Sequence, residues 1–330
     1  MTRRRRTGQR KALAAALLIT AASTGASAQD YPSRPITLVV PFAAGGPVDT
    51  TTRIVADKMK DRLGQPIIVE NIGGAAGSLA AARVAKAAPD GYTIMTGIWG
   101  THVANGAIYK LTYDVRSDFA PIALLSENPL LIVSSKQTPA ANLREFIAWL
   151  KANPGKATQG TSGVGSVGHV AGLFFDKMTG TIHHYVPYRG LAPAMQDLTA
   201  GTIDLMFDTP ATSLPQVQAG NIRAYAVTAK TRLSSAPGIP TTDEAGLPGL
   251  HVSTWTALFA PTGTDAAVIR KLSDAATKAL DEPDVRNRLL QVGQEVYPPE
   301  QRSAEYLAKF QDDEIKKWWP IIKEAKINVD

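Results

Sequence analysis

The chain has 330 residues, a formal net charge of +6 at pH 7 and no cysteine. Without cysteine it can form no disulfide, no thiolate metal site and no cysteine nucleophile. Six basic residues lie between Arg3 and Lys11, and removing them leaves 29 basic residues against 29 acidic ones. Because a neutral remainder lacks the basic surface that binds phosphate backbones, we expect no nucleic-acid partner.

The first 28 residues have the layout of a secretory signal peptide. The basic cluster is followed by the apolar run Ala12–Ile19 and then by small residues ending in Ala26-Ser27-Ala28, which is the order typical of exported proteins. The apolar run is too short to cross a bilayer, which takes about 20 residues. The sequence therefore predicts cleavage after Ala28 and a soluble mature protein in the periplasm.

The first half of the mature chain alternates strand-like and helix-like segments. Short apolar or β-branched runs at Ile36–Val40, Ile67–Val69, Tyr92–Met95 and Pro121–Leu125 predict strands, and helical patterns separate the first three. Strands separated by helices in this way form a parallel sheet that is covered on both faces. This half therefore predicts an α/β lobe.

The second half repeats this organisation. Leu143–Leu150 has the apolar spacing of an amphipathic helix, and strands are predicted at Tyr185–Val186, Ile203–Phe207 and Ala224–Val227. From Asp265 onward the pattern is almost entirely helical. Together the two halves predict an α/β protein with two lobes, in which the last helices return to the first lobe.

Three glycine-rich turns stand where predicted strands lead into predicted helices, at residues 41–49, 71–78 and 160–169. Such turns leave unpaired backbone N–H groups at a helix N-terminus, where the helix dipole also favours an anion. Ligands of open α/β sheets bind beyond the carboxyl ends of the strands, where these turns are expected. A single turn of this kind can be no more than a tight connection between a strand and a helix. Three of them in one chain predict a shared anion site.

Polar side chains in and beside these turns are candidate ligand contacts. Ser162 and Ser166 are suited to donating hydrogen bonds to a carboxylate, whereas His169 and Asp49 either contact the ligand or cap their helices. Trp99 follows the third predicted strand and either lines the cleft or packs inside the first lobe. The residues predicted to bind the ligand are Phe42, Gly45, Gly46, Asp49, Ala75, Gly77, Ser78, Trp99, Thr101, Ser162, Gly163, Ser166, His169 and Asp208.

Motifs of cofactor-dependent enzymes are incomplete. Gly163-x-Gly165-x-x-Gly168 has the spacing of a dinucleotide fingerprint, but His183 and His184 stand where that fingerprint needs an acidic residue. The two histidines are adjacent on a predicted strand, so their side chains point to opposite faces and cannot hold one metal. We therefore predict no cofactor, no metal and no enzymatic activity.

A series of short motifs runs in order through the predicted mature chain. They are Tyr31-Pro32-x-Arg34-Pro35-Ile36, Pro41-Phe42 with Gly45-Gly46-x-x-Asp49 and Arg53, Pro89-Asp90-Gly91-Tyr92-Thr93, Tyr113-Asp114 with Asp118-Phe119-Ala120-Pro121, Gly163-x-Gly165-Ser166 with His169, Tyr188-Arg189-Gly190, Gly201 with Asp204, Pro240-Thr241-x-x-Glu244-Ala245-Gly246-Leu247-Pro248-Gly249, Trp255 and Ala260-Pro261. In these motifs the sequence closely resembles the solute-binding component of tripartite tricarboxylate transporters, the Bug-type family. So many ordered motifs are far more specific than one glycine-rich turn.

The resemblance implies a type II periplasmic-binding-protein fold, in which two α/β lobes are joined by two crossing strands. It divides the chain into a signal peptide (1–28), the first part of lobe 1 (29–130), lobe 2 (131–253) and a mostly helical return to lobe 1 (254–330). The implied function is the capture of a small organic carboxylate by backbone amides, hydroxyls and water. The implied partners are transporter subunits in the membrane, and a monomer is expected.

Two extended segments near Leu125–Ile132 and Val252–Phe259 are predicted to connect the lobes and to act as a hinge. Closure would bring the third glycine-rich turn toward the first two. Trp99 would then lie near the far end of the ligand if it lines the cleft.

The second turn departs from the usual family pattern Asn-Arg-Pro-Gly-Ala-Gly-Gly, because Ile72, Gly73 and Ala76 replace an arginine, a proline and a glycine. The ligand is left open among tricarboxylates, four- to six-carbon dicarboxylates, acidic amino acids and aromatic carboxylates. One alternative function is a sensor that presents its ligand to a receptor. Another is a hydrolase that uses a serine of the third turn with His169.

Overall fold

The computed structural model describes residues 31–188 and 190–327. The predicted signal peptide and its cleavage site after Ala28 lie outside the described residues, as does Arg189 of one family motif. By its internal contacts the chain divides after Ser33, and every described strand and helix belongs to the unit that begins at Arg34.

The strands of this unit form two sheets. In chain order they are β1 (Ile36–Val40), β2 (Ile67–Asn71), β3 (Thr93–Ile98), β4 (Phe119–Pro129), β5 (Leu131–Ser135), β6 (Thr158–Thr161), β7 (His184–Pro187), β8 (Leu205–Asp208), β9 (Ile222–Val227), β10 (Ser253–Pro261) and β11 (Glu295–Val296).

Helices connect most of these strands. They are α1 (Pro47–Leu63), α2 (Ser78–Ala85), α3 (Asn105–Ile108), α4 (Leu143–Ala152), α5 (Val167–Thr179), α6 (Leu191–Ala200), α7 (Pro210–Gln218), α8 (Ala266–Asp281), α9 (Pro283–Gln291) and α10 (Ala304–Glu324). The first of them begins at Pro47, at a position where an N–H would have no partner within the helix, and Gly64, with φ at 68°, caps it after Leu63. No helix in the described part of the chain combines the length and apolar character that a membrane crossing needs.

The first sheet has the order β11-β4-β10-β3-β1-β2. β1 pairs parallel with β2 and with β3, whereas β10 pairs antiparallel with β3 and with β4. The alternating pattern predicted a parallel sheet, and the sheet is instead mixed. The reason is that the chain enters β10 from the second sheet, so β10 is antiparallel to both of its neighbours, β3 and β4.

The second sheet has the order β7-β6-β8-β5-β9. β6 pairs parallel with β7 and β8, and β5 pairs antiparallel with β8 and β9. One strand and one helix of this part of the chain were not predicted from the sequence. The strand is β6, the polar run Thr158–Thr161, and the helix is α7, which contains Pro215 in its interior.

The chain passes between the two sheets twice. The first passage is Leu130, between β4 of the first sheet and β5 of the second, and the other covers residues 228–252, between β9 and β10. The first passage lies within the predicted segment Leu125–Ile132, whereas nearly all of the second precedes the predicted segment Val252–Phe259, most of which is β10. The exact lobe boundaries at residues 130 and 253 stay predictions.

Large aromatic side chains fix the last helix against the first sheet. Trp99, Trp255 and Trp318 are each no more than 1% exposed. Trp99, which follows β3, meets Trp318 of α10 edge to face, with ring centroids 5.6 Å apart. This packing holds the last helix against the segment that follows β3.

Candidate functional site

Strand direction places the first two glycine-rich turns at the same end of the first sheet. β1, β2 and β3 run parallel, so the segments that follow Val40, Asn71 and Ile98 all leave the first sheet at one edge. In the second sheet β6 and β8 are parallel, so the third turn and the residues after Asp208 also share an edge.

The Asp49 side chain holds the first turn in shape. Its buried carboxylate accepts hydrogen bonds from the Gly45 amide at 2.8 Å, from Asn71 Nδ2 at 2.9 Å and from Arg53 Nε at 3.0 Å. Asn71 Nδ2 also donates to the Phe42 carbonyl at 3.0 Å, which ties the first turn to the end of β2. Burial raises the pKa of Asp49, but the bonds from Arg53, Gly45 and Asn71 outweigh it and hold this pKa below its usual value.

The second turn lies directly against the first. A Cβ added at Gly77 would stand 2.6 Å from Thr101 Cγ2 and 3.0 Å from Pro41 Cβ. Only glycine allows this approach, and its φ of 86° also favours glycine. Asn105 then fixes the turn by donating to the Ala76 carbonyl at 3.0 Å and to Ser78 Oγ at 3.1 Å.

The segment after β3 supports these turns from inside the lobe. Thr101 is buried, and its hydroxyl bonds to the Ile98 backbone and to His102 Nδ1 at 2.9 Å. The His102 ring is stacked on Phe259 at a centroid distance of 3.9 Å, and burial lowers the pKa of His102 to about 3. Trp99 is 1% exposed, so this structure matches the alternative in which Trp99 packs inside the lobe.

The third turn is organised by Ser166 and His169. Ser166 is the N-cap of α5, and its hydroxyl oxygen accepts a hydrogen bond from the His169 amide at 3.4 Å. His169 Nδ1 accepts from the Gly165 amide at 3.0 Å. An accepting Nδ1 requires the neutral tautomer with its proton on Nε2. Burial, and then the neighbouring His183, lower the pKa of His169 and favour the same neutral form.

Gln159 is a supporting residue that the sequence reading missed. Its Nε2 donates to the Gly168 carbonyl at 2.8 Å, and its Oε1 lies 2.8 Å from His183 Nε2. These bonds hold the first turn of α5 against the second sheet. The helix lies so close to the sheet there that a Cβ added at Gly168 would stand 2.7 Å from the Phe207 carbonyl oxygen. The only signal in the sequence was a polar residue within a segment that turned out to be a buried strand.

Asp208 ends β8 with a carboxylate that is only half satisfied. The Ser213 hydroxyl donates to Oδ2 at 2.5 Å, and the buried Oδ1 has no hydrogen-bond partner among the described residues. Burial raises the pKa of Asp208 to about 6. Ser162 and Gly163 lie half-buried in the third turn, where Gly163 has a φ of 127°.

The third turn also meets the first lobe. A Cβ at Gly165 would stand 3.0 Å from Ile108 Cδ1, at the end of α3. Gly165 follows β6 of the second sheet, whereas Ile108 follows β3 of the first. The third turn, which follows a strand of the second sheet, is therefore adjacent to a helix that follows a strand of the first sheet.

The helix ends at these turns suit an anion. Neither α1 nor α2 has a side-chain cap at its N-terminus, so their first backbone N–H groups are not occupied by a capping side chain. The guanidinium of Arg53 is bonded to Asp49 and to Asn71. The donors that the turns offer are thus amides, a hydroxyl and a neutral imidazole N–H, which can satisfy a carboxylate together with the helix dipoles.

Known proteins resemble this chain over most of its length. Residues 51–327 match the family model described as the tripartite tricarboxylate transporter family receptor. Protein BugT of Bordetella pertussis is 32% identical over 301 residues, covering 91% of this chain and 91% of BugT. MatC of Rhodopseudomonas palustris, solved with bound malate, is 42% identical with a TM-score of 0.73, covering 88% of this chain and 100% of MatC. Another R. palustris protein, solved with adipate, is 33% identical with a TM-score of 0.75, covering 91% of this chain and 99% of that one.

Proposed function

The chain belongs to the tripartite tricarboxylate transporter receptor family, and from this premise we propose that it captures a small organic di- or tricarboxylate in the periplasm and delivers it to a membrane transporter. The proposed site is the region where the three glycine-rich turns approach one another. Relatives that were solved with malate and with adipate favour aliphatic dicarboxylates as the first ligands to test.

The observation that carries this proposal is the pair of uncapped helix N-termini beside a turn from the other sheet. α1 and α2 begin at Pro47 and Ser78 without side-chain caps. The short helix α3 bonds to the second turn through Asn105 and lies against the third turn through Ile108. A carboxylate at the first two turns would accept hydrogen bonds from their backbone amides. Because these donors carry no net charge, we expect binding to depend only modestly on salt.

A second carboxylate would be bound by the third turn. The Ser166 oxygen already accepts from the His169 amide, so its own proton is free to be donated to a ligand oxygen. His169 Nδ1 is occupied by the Gly165 amide, which leaves Nε2–H as the donor. In this proposal Ser162, Ser166 and His169 hold one end of the ligand, and the turns around Gly45 and Gly77 hold the other.

The proposal requires binding without turnover. Catalysis by a serine and His169 would need the imidazole to accept the serine proton. Here Nδ1 already accepts from a backbone amide, and the Ser166 oxygen accepts from the amide of His169. We therefore expect the ligand to be recovered chemically unchanged after incubation, which chromatography of the released ligand would check.

Thermal shift and calorimetry with a carboxylate panel test the function. Malate, adipate and citrate are compared with their methyl esters, which keep the carbon skeleton and lose the charge. A ligand that binds only the folded state stabilises it by about 2.7 kcal/mol at one hundred times its Kd. If no carboxylate raises the melting temperature while the protein is folded, the proposed function is wrong.

Two further measurements test export and delivery. The intact mass of protein recovered from the periplasm should correspond to a chain beginning at Gln29. Deletion of the gene should abolish uptake of the radiolabelled ligand at low external concentration. Unchanged uptake in the deletion strain would contradict delivery to a transporter even if binding itself is confirmed.

A further inference from the structure

A cavity lies at the strands that connect the two sheets, away from the glycine-rich turns. It has a volume of about 550 Å³ and is lined by the ends of β4 and β10, by the loop 228–233 after β9, by β11 and by one side of α10. In the first sheet β4 and β11 stand on one side of β10, whereas β3, β1 and β2 stand on the other. This cavity, here named the hinge cavity, is therefore separated from the turns by β10.

Two of the three carboxylates that line the hinge cavity are held by neutral donors in its interior. Glu127 accepts hydrogen bonds from Ser253 Oγ at 3.0 Å and from the Tyr297 hydroxyl at 3.3 Å. Glu314 accepts from two buried tryptophan indoles at 3.3 and 3.1 Å. Burial is the main cause that raises the pKa of both carboxyls, and in the described part of the chain neither forms an ion pair.

Some of the basic side chains around the cavity already have partners. Arg232 forms an ion pair with Glu244 at 2.8 Å, so its charge is compensated outside the cavity. Lys317 Nζ donates to the His251 carbonyl at 2.6 Å, and burial lowers the pKa of Lys317. The His251 ring bonds to Asp243 at 2.9 Å.

The remaining charges do not balance. Three carboxylates line the cavity, those of Glu127, Glu295 and Glu314, against the two ammonium groups of Lys230 and Lys317. Each interior carboxylate is bonded to uncharged groups, which solvate it less well than a cation would. Apart from the Arg232–Glu244 pair, the carboxyl groups that line the cavity therefore outnumber its ammonium groups by one.

The walls beside these carboxylates are aromatic. Tyr306 and Phe310 are stacked with ring centroids 6.1 Å apart, and Tyr297 packs against Phe310 at 6.0 Å. Aromatic faces next to a carboxylate attract an organic cation through both the ring quadrupole and the charge. The volume also falls within the range of small-ligand pockets, about 300 to 1,000 Å³.

We propose that the hinge cavity binds a small primary ammonium compound, with its charge between Glu127 and Glu314 and its alkyl part against Tyr306 and Phe310. This site is distinct from the proposed carboxylate site and does not depend on it. A cation that carries no carboxylate therefore tests the hinge cavity alone.

Calorimetry with n-butylammonium, in an amine-free buffer at constant ionic strength, is the direct experiment. Saturable one-to-one binding is expected, and the neutral isostere n-butanol should bind at least tenfold more weakly because it lacks the charge. Glu314→Gln and Glu127→Gln should each weaken binding at least tenfold. Asp313→Asn is the matched control, because Asp313 is an exposed residue of the same helix that pairs with Lys309.

Three results would overturn the proposal. One is the absence of saturable heat from butylammonium with the wild-type protein, as expected if the carboxyls take up only protons. Another is equal affinity for butylammonium and butanol, a comparison that needs no variant to fold. The third is wild-type affinity in both glutamine variants, once melting curves show that they are folded.

Discussion

Ser166 has two roles that can be separated by substitution. Its oxygen caps α5, and in the proposed function its proton is donated to the ligand. Ser166→Ala removes both roles. Ser166→Gly removes the hydroxyl but keeps a residue that is tolerated at an N-cap, so it loses the ligand contact with little loss of capping.

The expected magnitudes differ between folding and binding. Loss of the cap in Ser166→Ala should lower the free energy of unfolding by about 1 kcal/mol, whereas Ser166→Gly should cost only a few tenths. Loss of a hydrogen bond to a charged ligand should weaken binding by about 1.5 to 3 kcal/mol in both variants. That range corresponds to a Kd about 10- to 150-fold higher. Because Ser166 is the N-cap of α5, Ser166→Ala is expected to change the stability of the fold as well as ligand binding.

Denaturant unfolding and calorimetry with the best carboxylate measure the two effects separately. Ser303→Ala is the matched control, because Ser303 caps α10 in the same way, accepting from the Tyr306 amide at 3.1 Å. It should lose similar stability and keep wild-type affinity for the carboxylate. If Ser166→Ala and Ser166→Gly both bind within twofold of wild type, the hydroxyl does not contact the ligand and the role proposed for the third turn is wrong.

Three further predictions concern the first lobe and the hinge. Asp49→Asn should lower the free energy of unfolding by about 2 kcal/mol at pH 7, because a charge-assisted hydrogen bond in the first turn is lost. The folded pKa of Asp49 lies below its usual value, so this stabilisation is present above about pH 4 and disappears at lower pH. If denaturant unfolding shows the same difference in stability between wild type and Asp49→Asn at pH 7 and at pH 3, the prediction is refuted. Trp99→Ala should cost about 3 to 5 kcal/mol of stability and leave the order of carboxylate affinities unchanged, whereas a changed order in calorimetry would place Trp99 in the cleft. A saturating carboxylate should reduce the radius of gyration in solution scattering if the crossing segments act as a hinge, and an unchanged radius would contradict closure.

Several elements could be predicted from the sequence because their signals are local. β1 has the predicted bounds Ile36–Val40, since a β-branched run ended by Pro41 has few alternatives. The family resemblance, which the match over residues 51–327 confirms, also depended only on the order of motifs. The fold class followed from both, because alternation of strands and helices and recognised motifs point to the same two-sheet architecture.

Other features were decided by contacts between residues far apart in the chain. Thr158–Thr161 is too polar to predict a buried strand, and it becomes one because neighbouring strands satisfy its backbone on both sides. Trp99 had two possible environments in the sequence, and its packing against Trp318 selects the interior of the lobe.

The two candidate sites also differ in whether the sequence alone could reveal them. The glycine-rich turns could be found in the sequence because each is a continuous segment with its own backbone requirements. The hinge cavity could not, because it combines Glu127, Lys230 and Glu314 from distant segments whose meeting depends on strand pairing and on the last helix. The sequence by itself thus determined where the glycine-rich turns lie, while only the tertiary structure decided which charges are buried together, since burial and pairing arise from the whole fold.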